Sequence, residues 1–479
     1  MSIAKNYIYN VVYQLLILIL PLITVPYVSR ILGSNGVGIN AYTNSIVQYF
    51  VLAGTIGISL YGNRTIAYVR DKKDELSKTF WGIFILKLIT TALAYIAFLV
   101  FIFIIKSKYT SIYFIQSLAI LSATLDISWF FMGIEDFKKT VTRNFIVKMI
   151  GVVCIFIFVK NKSDLNKYVL ILCISDLIGQ GIMWMYMKSY INKIQLTFND
   201  INKHFIPAVQ LFIPQIAIQI YVVLDKTMVG MFSTPSEVGF YDNSQKIVKM
   251  TLAVVTSMGT VMLPRVTNTF AKGDLKKVKE YLVKSFEFSS YLAIPMMFGM
   301  IGIANEFVPW FFGNDFLKCS SLIIIISPII VAIAWSNVLG MQIMLPVGKV
   351  KEFTISVTVG AVVNFIINLF LIKKYASLGA SVASVIAEFA VTLVQFYLMR
   401  EYIAIKSMFN NIWKYFLASG IMLLFLRIIG NYMKTSIKTT VVQVVVGMLT
   451  YFVLLVMLKS NVNNYIINIV KRKFLKKTI

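Results

Sequence analysis

The chain has 479 residues, of which 58% are hydrophobic and only 14% are charged. A soluble protein keeps about a quarter of its residues charged, so this composition excludes a soluble enzyme, a disordered scaffold and a secreted disulfide-rich module. The net charge of +26 does not indicate nucleic-acid binding, because no basic arm, zinc-ligand spacing or aromatic RNA-binding motif accompanies it.

Apolar stretches follow one another along almost the whole chain. A helix needs about 20 mostly apolar residues to cross the hydrocarbon core of a bilayer, and fourteen stretches meet this condition. They cover residues 8–29, 37–61, 79–105, 109–132, 143–159, 166–187, 206–231, 240–263, 284–305, 319–345, 354–372, 378–399, 412–430 and 440–458. The loops are short and none carries a Walker-type glycine loop, which predicts a membrane domain without its own ATPase.

Lysine and arginine are distributed unevenly over the predicted loops. With the N-terminus in the cytoplasm, most of them fall in cytoplasmic segments, including the tail from Lys471 to Lys477. Cytoplasmic loops of membrane proteins hold this excess. We therefore predict a multi-pass protein of the cytoplasmic (plasma) membrane with both termini in the cytoplasm and a basic tail that rests on anionic headgroups.

The three cysteines, Cys154, Cys173 and Cys319, lie singly in or beside apolar segments. They have no C-x-x-C spacing, so neither a disulfide framework nor a metal site is indicated. We predict no metal and no cofactor.

The sequence contains an internal repeat. A shift of 201 residues places Val37-Gly38 on Val238-Gly239 and Arg64 on Arg265. Duplicated halves are typical of transporters, whose substrate site lies between them. We predict an N-terminal bundle of spans 1 to 6 (residues 1–200), a second bundle of spans 7 to 12 (201–400), and spans 13 and 14 with the basic tail (401–479).

Several short motifs occur in a fixed order along the chain. They are the run Pro21 to Gly33 followed by Gly36-Val37-Gly38, the Tyr61–Arg64 turn, Trp129–Gly133 with Glu135, Asp225-Lys226, Val238–Tyr241 and Gly313–Phe316. On these residues the chain resembles the Wzx-type polysaccharide flippases of the multidrug/oligosaccharidyl-lipid/polysaccharide (MOP) superfamily. The resemblance covers nearly the whole sequence.

The resemblance implies an all-helical, MATE-like transporter in which two six-helix bundles rock about a central cavity, with two extra C-terminal helices. Its substrate would be an undecaprenyl-diphosphate-linked oligosaccharide, moved from the inner to the outer leaflet by alternating access for capsule, exopolysaccharide or teichoic-acid assembly. Such a chain is a transporter and not an enzyme. Its partners are that lipid and the bilayer, and contact with a glycosyltransferase or polymerase of the pathway stays open.

Charged residues within predicted spans are candidate site residues, since each costs about 2.5 to 3.5 kcal/mol on insertion scales. Spans 7 and 8 hold Asp225, Lys226, Lys246 and Lys249. We predict that they line a polar lumen in which the lysines bind the diphosphate. The alternative is that the lysines reach toward the outer headgroups while Asp225 pairs with Lys226 or Lys246.

Three arginines lie at the ends of predicted spans. Arg64 and Arg265 are equivalent in the repeat and close the cytoplasmic ends of spans 2 and 8, where a guanidinium could capture phosphate oxygens. The resemblance implies that Arg30, at the outer end of span 1, lines the cavity. Interfacial anchoring is the alternative for all three, and His204, in the basic loop before span 7, is predicted to be interfacial.

Further ionisable residues lie deeper in the spans. Lys87, Asp126 and Lys148 are predicted at similar depth, either as an ion-paired strut or as cavity charges that bind a coupling ion. Asp176 and Glu388 occupy the matching spans 6 and 12, where a carboxylate could exchange a proton during transport. A hydrogen bond to a neighbouring helix is the alternative for both.

Two other functions stay open. A cation-coupled drug exporter of the same superfamily should have an acidic, aromatic lumen, whereas the charges on spans 7 and 8 are mostly basic. A membrane polymerase or ligase acting on the same lipid carrier needs a sizeable outer loop with catalytic residues, whereas the longest loops are predicted to be cytoplasmic. The sequence therefore favours a flippase.

Overall fold

The computed structural model describes residues 3–402, 405–465 and 467–468. Within these ranges, the structure does not describe the side chains of residues 3–19, 137, 213–215, 217–218, 220–222, 258, 260–261 and 275. All regular structure in the described part is helical, which confirms the predicted all-α class. The tail from Lys471 to Lys477, predicted to rest on headgroups, lies outside the described residues.

Residue contacts divide the chain into two compact units, Met1–Gly239 and Phe240–Ile479, which we call unit 1 and unit 2. The repeat-based division at residues 200 and 400 is a different partition of the chain and stays a prediction. Helix α10 belongs to unit 1 because it packs against α1 there.

Unit 1 contains ten helices in its described part, and an eleventh begins in it. They are α1 (Ile3–Thr55), α2 (Ile58–Val69), α3 (Lys73–Ile105), α4 (Thr110–Gln116), α5 (Leu118–Leu125), α6 (Ser128–Gly133), α7 (Phe137–Phe158), α8 (Leu165–Met187), α9 (Phe198–Asn202), α10 (Phe205–Phe232) and α11 (Pro235–Ala271). A 3-10 turn, Lys162–Asp164, precedes α8.

Unit 2 contains most of α11 and eight further helices in its described part. They are α12 (Leu275–Phe311), α13 (Lys318–Ile326), α14 (Ile329–Ser336), α15 (Val350–Tyr375), α16 (Ser377–Met399), α17 (Ile405–Met408), α18 (Ile412–Met433) and α19 (Ile437–Met457). A 3-10 turn, Asn314–Phe316, precedes α13, and a π-helix, Asn337–Met344, follows α14. Helices α18 and α19 are the two predicted C-terminal additions.

The described chain contains eleven helical segments that are long and apolar enough to cross a membrane, or twelve with a bent segment in α11. The predicted number of fourteen is not confirmed. The first two predicted spans join in one helix, α1, which bends at Gly33, where a positive φ of 68° is easy for glycine. The seventh predicted span, 206–231, lies in α10, whose side chains are partly outside the described residues.

The core of unit 1 is aromatic where α2, α3 and α6 meet. Phe80, Trp129 and Phe130 are each at most 1% exposed, and their rings pack at centroid distances of 5.2 to 5.5 Å. Gly62 of α2 makes room for the Trp129 ring, because a Cβ at Gly62 would lie 2.5 Å from it. This packing holds the three helices in fixed positions relative to one another.

Candidate functional site

The three arginines predicted to bind substrate are exposed: Arg30 in α1, Arg64 in α2 and Arg265 in α11. The Arg64 Nε donates to the Tyr68 hydroxyl at 3.1 Å, and its guanidinium lies 5.6 Å from the centre of the Tyr68 ring. A guanidinium offers several N–H donors in a planar fork, so Arg64 has donors left for phosphate oxygens.

Asp225 and Lys226 lie in unit 1, on α10. The Asp225 side chain is 5% exposed and interacts electrostatically with Tyr49 of α1, whereas Lys226 is half-buried. Two residues further on, the Thr227 hydroxyl lies 2.9 Å from the Ser45 hydroxyl of α1. Asp225 is therefore enclosed between two packed helices of unit 1.

Lys246 and Lys249 lie in unit 2, on α11, where Lys249 is exposed. The Lys246 Nζ lies 2.5 Å from the carboxylate of Asp242, whose side chain is only 5% exposed. Asp242, the partner of Lys246, lies one turn back on the same helix. The spacing of four residues is the sequence signal that could have identified Asp242.

Four consecutive polar residues on α11 were not singled out from the sequence. Asp242, Asn243, Ser244 and Gln245 are all less than 9% exposed. Successive residues of a helix point in different directions, so these four side chains are buried on different sides of α11. The Gln245 amide donates to the Tyr241 hydroxyl at 2.8 Å, and that hydroxyl lies 2.8 Å from the Ser384 hydroxyl of α16.

Lys87 and Asp126 meet at the break between α5 and α6. The Lys87 side chain is 1% exposed, and its Nζ donates to the main-chain carbonyl of Asp126 at 2.6 Å. The Trp129 indole donates to the same oxygen at 3.1 Å, and the Trp184 indole donates to the Leu125 carbonyl at 2.9 Å. These side chains satisfy carbonyls that a broken helix leaves without partners.

The Asp126 carboxylate accepts the Ser128 backbone N–H through its Oδ1 at 2.9 Å, and its charge also interacts with Lys87. Lys148 of α7 does not join this pair; its charge interacts with Asp176 of α8. Asp176 also interacts electrostatically with Arg143, which was not among the predicted site residues. The structure therefore divides the predicted strut into two clusters and supplies partners for Asp176.

Glu388 of α16 is half-buried in unit 2. Its main-chain carbonyl accepts the Thr392 hydroxyl at 2.9 Å, and the same hydroxyl lies 2.9 Å from the Ala332 carbonyl of α14. Asp176 and Glu388 therefore have different surroundings in the two units, although the repeat places them on matching spans.

His204, which the sequence predicts to be interfacial, is buried within the protein at 4% exposure. Its Nδ1 lies 2.6 Å from the Tyr61 hydroxyl of α2, and its ring edge faces Gly82 of α3. Burial, with a smaller contribution from Lys203, lowers the pKa of His204 to about 4. The imidazole is therefore neutral at pH 7.

Asp200 ties the segment before His204 to α3. Its carboxylate accepts the backbone and side-chain donors of Thr197 at 3.1 and 2.7 Å and lies 3.0 Å from the Lys78 Nζ. These hydrogen bonds, with the nearby Lys78 charge, lower the pKa of Asp200. The connection into α10 is thus fastened to the first turns of α3.

Unit 2 contains an apolar groove of about 690 Å³ between α12, α18 and α19. Its wall includes Met296, Gly299 and Met300 of α12, Met422 and Leu426 of α18, and Gly447, Met448 and Phe452 of α19. Its few polar side chains use their donors within the protein: Gln443 donates to Glu306 at 3.1 Å, and Tyr451 to the Tyr291 carbonyl at 2.7 Å. The groove therefore suits a hydrocarbon chain.

Two family models match the sequence. The model of the polysaccharide biosynthesis proteins matches residues 3–270, and the model of the lipid II flippase MurJ matches residues 144–453. A proposed O-antigen transporter of Escherichia coli (strain K12) is 24% identical over 408 residues, which are 84% of this chain and 97% of that protein. A proposed low-salt glycan biosynthesis flippase of Haloferax volcanii is 23% identical over 48% of this chain and 49% of its own length.

Solved structures share the fold. A lipid II flippase MurJ in an inward closed conformation superposes with a TM-score of 0.75 at 16% identity, over 96% of this chain and 99% of its own. An inward-facing MATE multidrug transporter of the MOP superfamily gives a TM-score of 0.58 at 11% identity, over 82% and 99%. Each of the two family models spans more than half of the chain. The chain therefore belongs to the polysaccharide biosynthesis protein family, and residues 144–453 also match the family of the lipid II flippase MurJ.

Proposed function

We propose that this protein moves a polyprenyl-diphosphate-linked oligosaccharide, of the undecaprenyl type, from the inner to the outer leaflet of the cytoplasmic membrane by alternating access. The observation that carries the proposal is the apolar groove of unit 2 in a chain of this family. Such a substrate has a long hydrocarbon chain, a charged diphosphate and a polar glycan. A protein that moves it needs separate surfaces for these parts.

The groove supplies the surface for the hydrocarbon chain. Burying apolar surface is favourable by about 0.8 kcal/mol for each CH₂ group, so contact over several isoprene units holds the lipid firmly. Pockets of about 300 to 1,000 Å³ enclose ligands of drug size, so the groove takes one segment of the chain. Four methionines line it, Met296, Met300, Met422 and Met448, and their flexible side chains adapt to a segment without fixed shape.

Cationic side chains supply the surface for the diphosphate. We assign this role to Arg30, Arg64, Lys226, Lys246, Lys249 and Arg265, with Asp225 as a neighbouring acid. The exposure of the three arginines and of Lys249 supports the assignment, because a ligand can reach them. Lys246 contributes less than a full charge, because Asp242 neutralises part of it.

The oligosaccharide then feeds assembly of a surface glycan, such as an O-antigen-like polymer, capsule, exopolysaccharide or teichoic acid. A glycosyltransferase or polymerase of the same pathway is the partner class that supplies or consumes the lipid. The names of the E. coli and Haloferax volcanii relatives support a glycan pathway. We place both termini in the cytoplasm, on the distribution of lysine and arginine.

The test is translocation in proteoliposomes, with the lipid-linked oligosaccharide in one leaflet and a reagent that detects its appearance in the other. A Gly299→Phe variant fills the groove, because a Cβ at Gly299 meets no atom within 4 Å and the position lines the groove. Gly420→Phe is the matched control, since Gly420 has equally open space but does not line the groove.

We expect transport by the unaltered protein and by Gly420→Phe, and a loss of at least about tenfold in Gly299→Phe. Full transport by Gly299→Phe would exclude the groove as the hydrocarbon site. Export of an organic cation without any transfer of the lipid would replace the proposal by the drug-exporter function.

A further inference from the structure

One face of α2 carries an exposed apolar residue, an exposed cation and an exposed aromatic ring in a row. These are Leu60, Arg64 and Tyr68, which we call the α2 stripe; Leu60 is 43% exposed and Tyr68 is 74% exposed. At intervals of four residues they lie within about 80° of the helix circumference and about 6 Å apart along its axis. The described part of the chain therefore leaves this side of α2 open to a ligand. The buried residues of α2 lie elsewhere on the helix and are Ile58, Tyr61, Gly62 and Ile66.

The α2 stripe differs from a surface that faces lipid tails. On the neighbouring helix α3, every exposed residue between positions 81 and 105 is apolar, as contact with hydrocarbon requires. On α2, the exposed residues between positions 59 and 68 include the hydroxyl of Ser59 and the charge of Arg64. A charged side chain is costly in hydrocarbon. This face of α2 therefore suits a ligand with polar and apolar parts.

Tyr68 holds the Arg64 side chain in place and leaves most of its donors unused. The Arg64 Nε donates to the Tyr68 hydroxyl at 3.1 Å, and the described residues offer its two Nη groups no further hydrogen bond or ion pair. By contrast, the guanidinium of Arg70 is bound by the carboxylate of Glu135 at 2.7 Å. The Nη donors of Arg64 are therefore available to phosphate oxygens, which a planar guanidinium binds well.

The Tyr68 ring lies beside this guanidinium with its face open. The guanidinium carbon is 5.6 Å from the ring centre, and the hydrogen bond joins it to the hydroxyl at the edge of the ring. In another exposed pair, the guanidinium of Arg400 is only 4.1 Å from the centre of the Tyr397 ring and covers that ring more closely. A pyranose presents C–H groups that pack favourably on an aromatic face. Tyr68 therefore offers a surface for a sugar next to a site for phosphate.

The order of the stripe along α2 matches the order of the parts of the substrate. The span that contains α2 ends at Val69. With the cytoplasmic termini proposed above, Leu60 is the member of the stripe nearest to the membrane centre, and Tyr68 is nearest to the cytoplasm. A lipid-linked oligosaccharide in the inner leaflet presents its hydrocarbon chain, its diphosphate and its first sugar in the same direction. The first sugar is bonded directly to the diphosphate, so a phosphate held by Arg64 brings this sugar to Tyr68.

We propose that the Tyr68 ring stacks on the first sugar of the lipid-linked substrate in the inner leaflet, while Arg64 binds the adjoining phosphate. The proposal rests on the proposed function, in which Arg64 is one of the diphosphate ligands, and adds Tyr68 as a residue that determines specificity. Leu60 contacts the first part of the hydrocarbon chain. The α2 stripe thereby distinguishes a carrier lipid that bears a sugar from a bare one.

The experiment measures binding to the protein in lipid nanodiscs with two probes. One is undecaprenyl diphosphate carrying a single N-acetylglucosamine, and the other is undecaprenyl diphosphate without a sugar. The unaltered protein should bind the first probe about five- to tenfold more tightly, which is the effect of one good aromatic contact. A single sugar suffices, because packing on ring C–H groups depends little on the other substituents of the sugar.

Four variants separate the roles of the two side chains. Tyr68→Leu should abolish the preference for the sugar and leave binding of the sugar-free probe within about twofold, because Arg64 remains. Tyr68→Phe retains the ring and should keep the preference. Arg64→Gln should weaken binding of both probes by about tenfold or more, since both carry the diphosphate. Tyr397→Leu is the matched control, because it removes another exposed tyrosine beside an arginine and should have no effect.

Four results would overturn the proposal. They are equal binding of the two probes by the unaltered protein, an unchanged preference in Tyr68→Leu, an equal loss for both probes in Tyr68→Leu, and the same loss of preference in Tyr397→Leu. The third result would show that Tyr68 acts only by positioning Arg64. If the unaltered protein binds the diphosphate, each of these results overturns the sugar contact alone. Binding of neither probe by the unaltered protein overturns the proposed function as well.

Discussion

Gly38 of α1 and Gly239 of α11, which the internal repeat makes equivalent, pack directly against each other. A Cβ on Gly38 would lie 2.9 Å from the Gly239 nitrogen and 1.6 Å from the Pro235 carbonyl oxygen, and a Cβ on Gly239 would lie 2.3 Å from the Ser34 carbonyl oxygen. The neighbouring valines, Val37 and Val238, are at most 6% exposed. The two glycines are thus required for close contact between backbones.

We predict that Gly38→Ala destabilises the protein. The new methyl group meets backbone rather than a flexible side chain, so α1 and α11 must separate, at a cost of about 1 to 3 kcal/mol or more. The measurement is the thermal midpoint of the detergent-solubilised protein. Gly181→Ala on α8 is the control, since a Cβ there meets no atom within 4 Å, and its midpoint should stay the same or rise. Equal midpoints for Gly38→Ala and the unaltered protein would contradict the close packing.

The pair Lys87 and Asp126 yields a second prediction. Lys87→Met should lower stability by about 1 to 3 kcal/mol, because it removes one of the two side-chain donors to the buried carbonyl at the helix break. Asp126→Asn should cost less than Lys87→Met, because an amide oxygen can still accept the Ser128 N–H and only the charge interaction with Lys87 is lost. Comparing yield and thermal midpoint of the two variants checks this. A loss in Asp126→Asn as large as that in Lys87→Met would show that the charge of the carboxylate, and not the hydrogen bond to the carbonyl, is the main stabilising contact of Lys87.

We predict that stability falls between pH 6.5 and 4 because of His204. An unfolded histidine takes up its proton near pH 6.5, whereas the buried ring does so only near pH 4. The unfolded state therefore binds more protons as the pH falls through this window, which lowers the free energy of unfolding. Thermal midpoints measured across the window should fall in the unaltered protein and stay flatter in His204→Gln. Parallel curves would rule out His204 as the titrating group.

The Asp200 carboxylate should affect the stability of the protein at lower pH than His204 does. Its pKa is lowered by the Thr197 and Lys78 contacts, so its contribution to stability is present above about pH 4 and is lost as the pH falls further. Asp200→Asn should remove the loss of stability caused by protonation of Asp200 below pH 4. The loss caused by His204 should remain and extend to slightly lower pH, because Asp200 no longer raises the pKa of His204. If Asp200→Asn changed the thermal midpoint only between pH 6.5 and 4, the assignment of the lower pH range to Asp200 would be wrong.

The proposal that lysines of α10 and α11 bind the diphosphate has its own test. Replacing Lys226, Lys246 and Lys249 together by Gln should reduce transport by at least about tenfold while the protein stays in the membrane, because a diphosphate loses its charge-assisted hydrogen bonds. The control replaces the exposed Lys276, Lys277 and Lys279 by Gln, which changes the net charge equally outside the proposed site. Equal transport by the two triple variants would remove these lysines from the substrate site.

Much of this protein is determined by its sequence alone. Composition and hydrophobic runs specify a helical membrane protein, because lipid leaves no partner for backbone groups that lack internal hydrogen bonds. The motifs in order identify the flippase family, and the repeat pairs Gly38 with Gly239 before their contact is known. These conclusions depend on local patterns that can be read without knowing which helices touch.

Only the tertiary structure decided the partners of the charges. Lys148 pairs with Asp176 and not with Asp126, and Lys87 binds a main-chain carbonyl, which side-chain spacing cannot reveal. The apolar groove was equally hidden, since its walls come from α12, α18 and α19 and look in sequence like any lipid-facing surface. The physical reason is that depth in the membrane follows from position along a helix, whereas a contact also requires the rotation and neighbours of that helix, which packing sets.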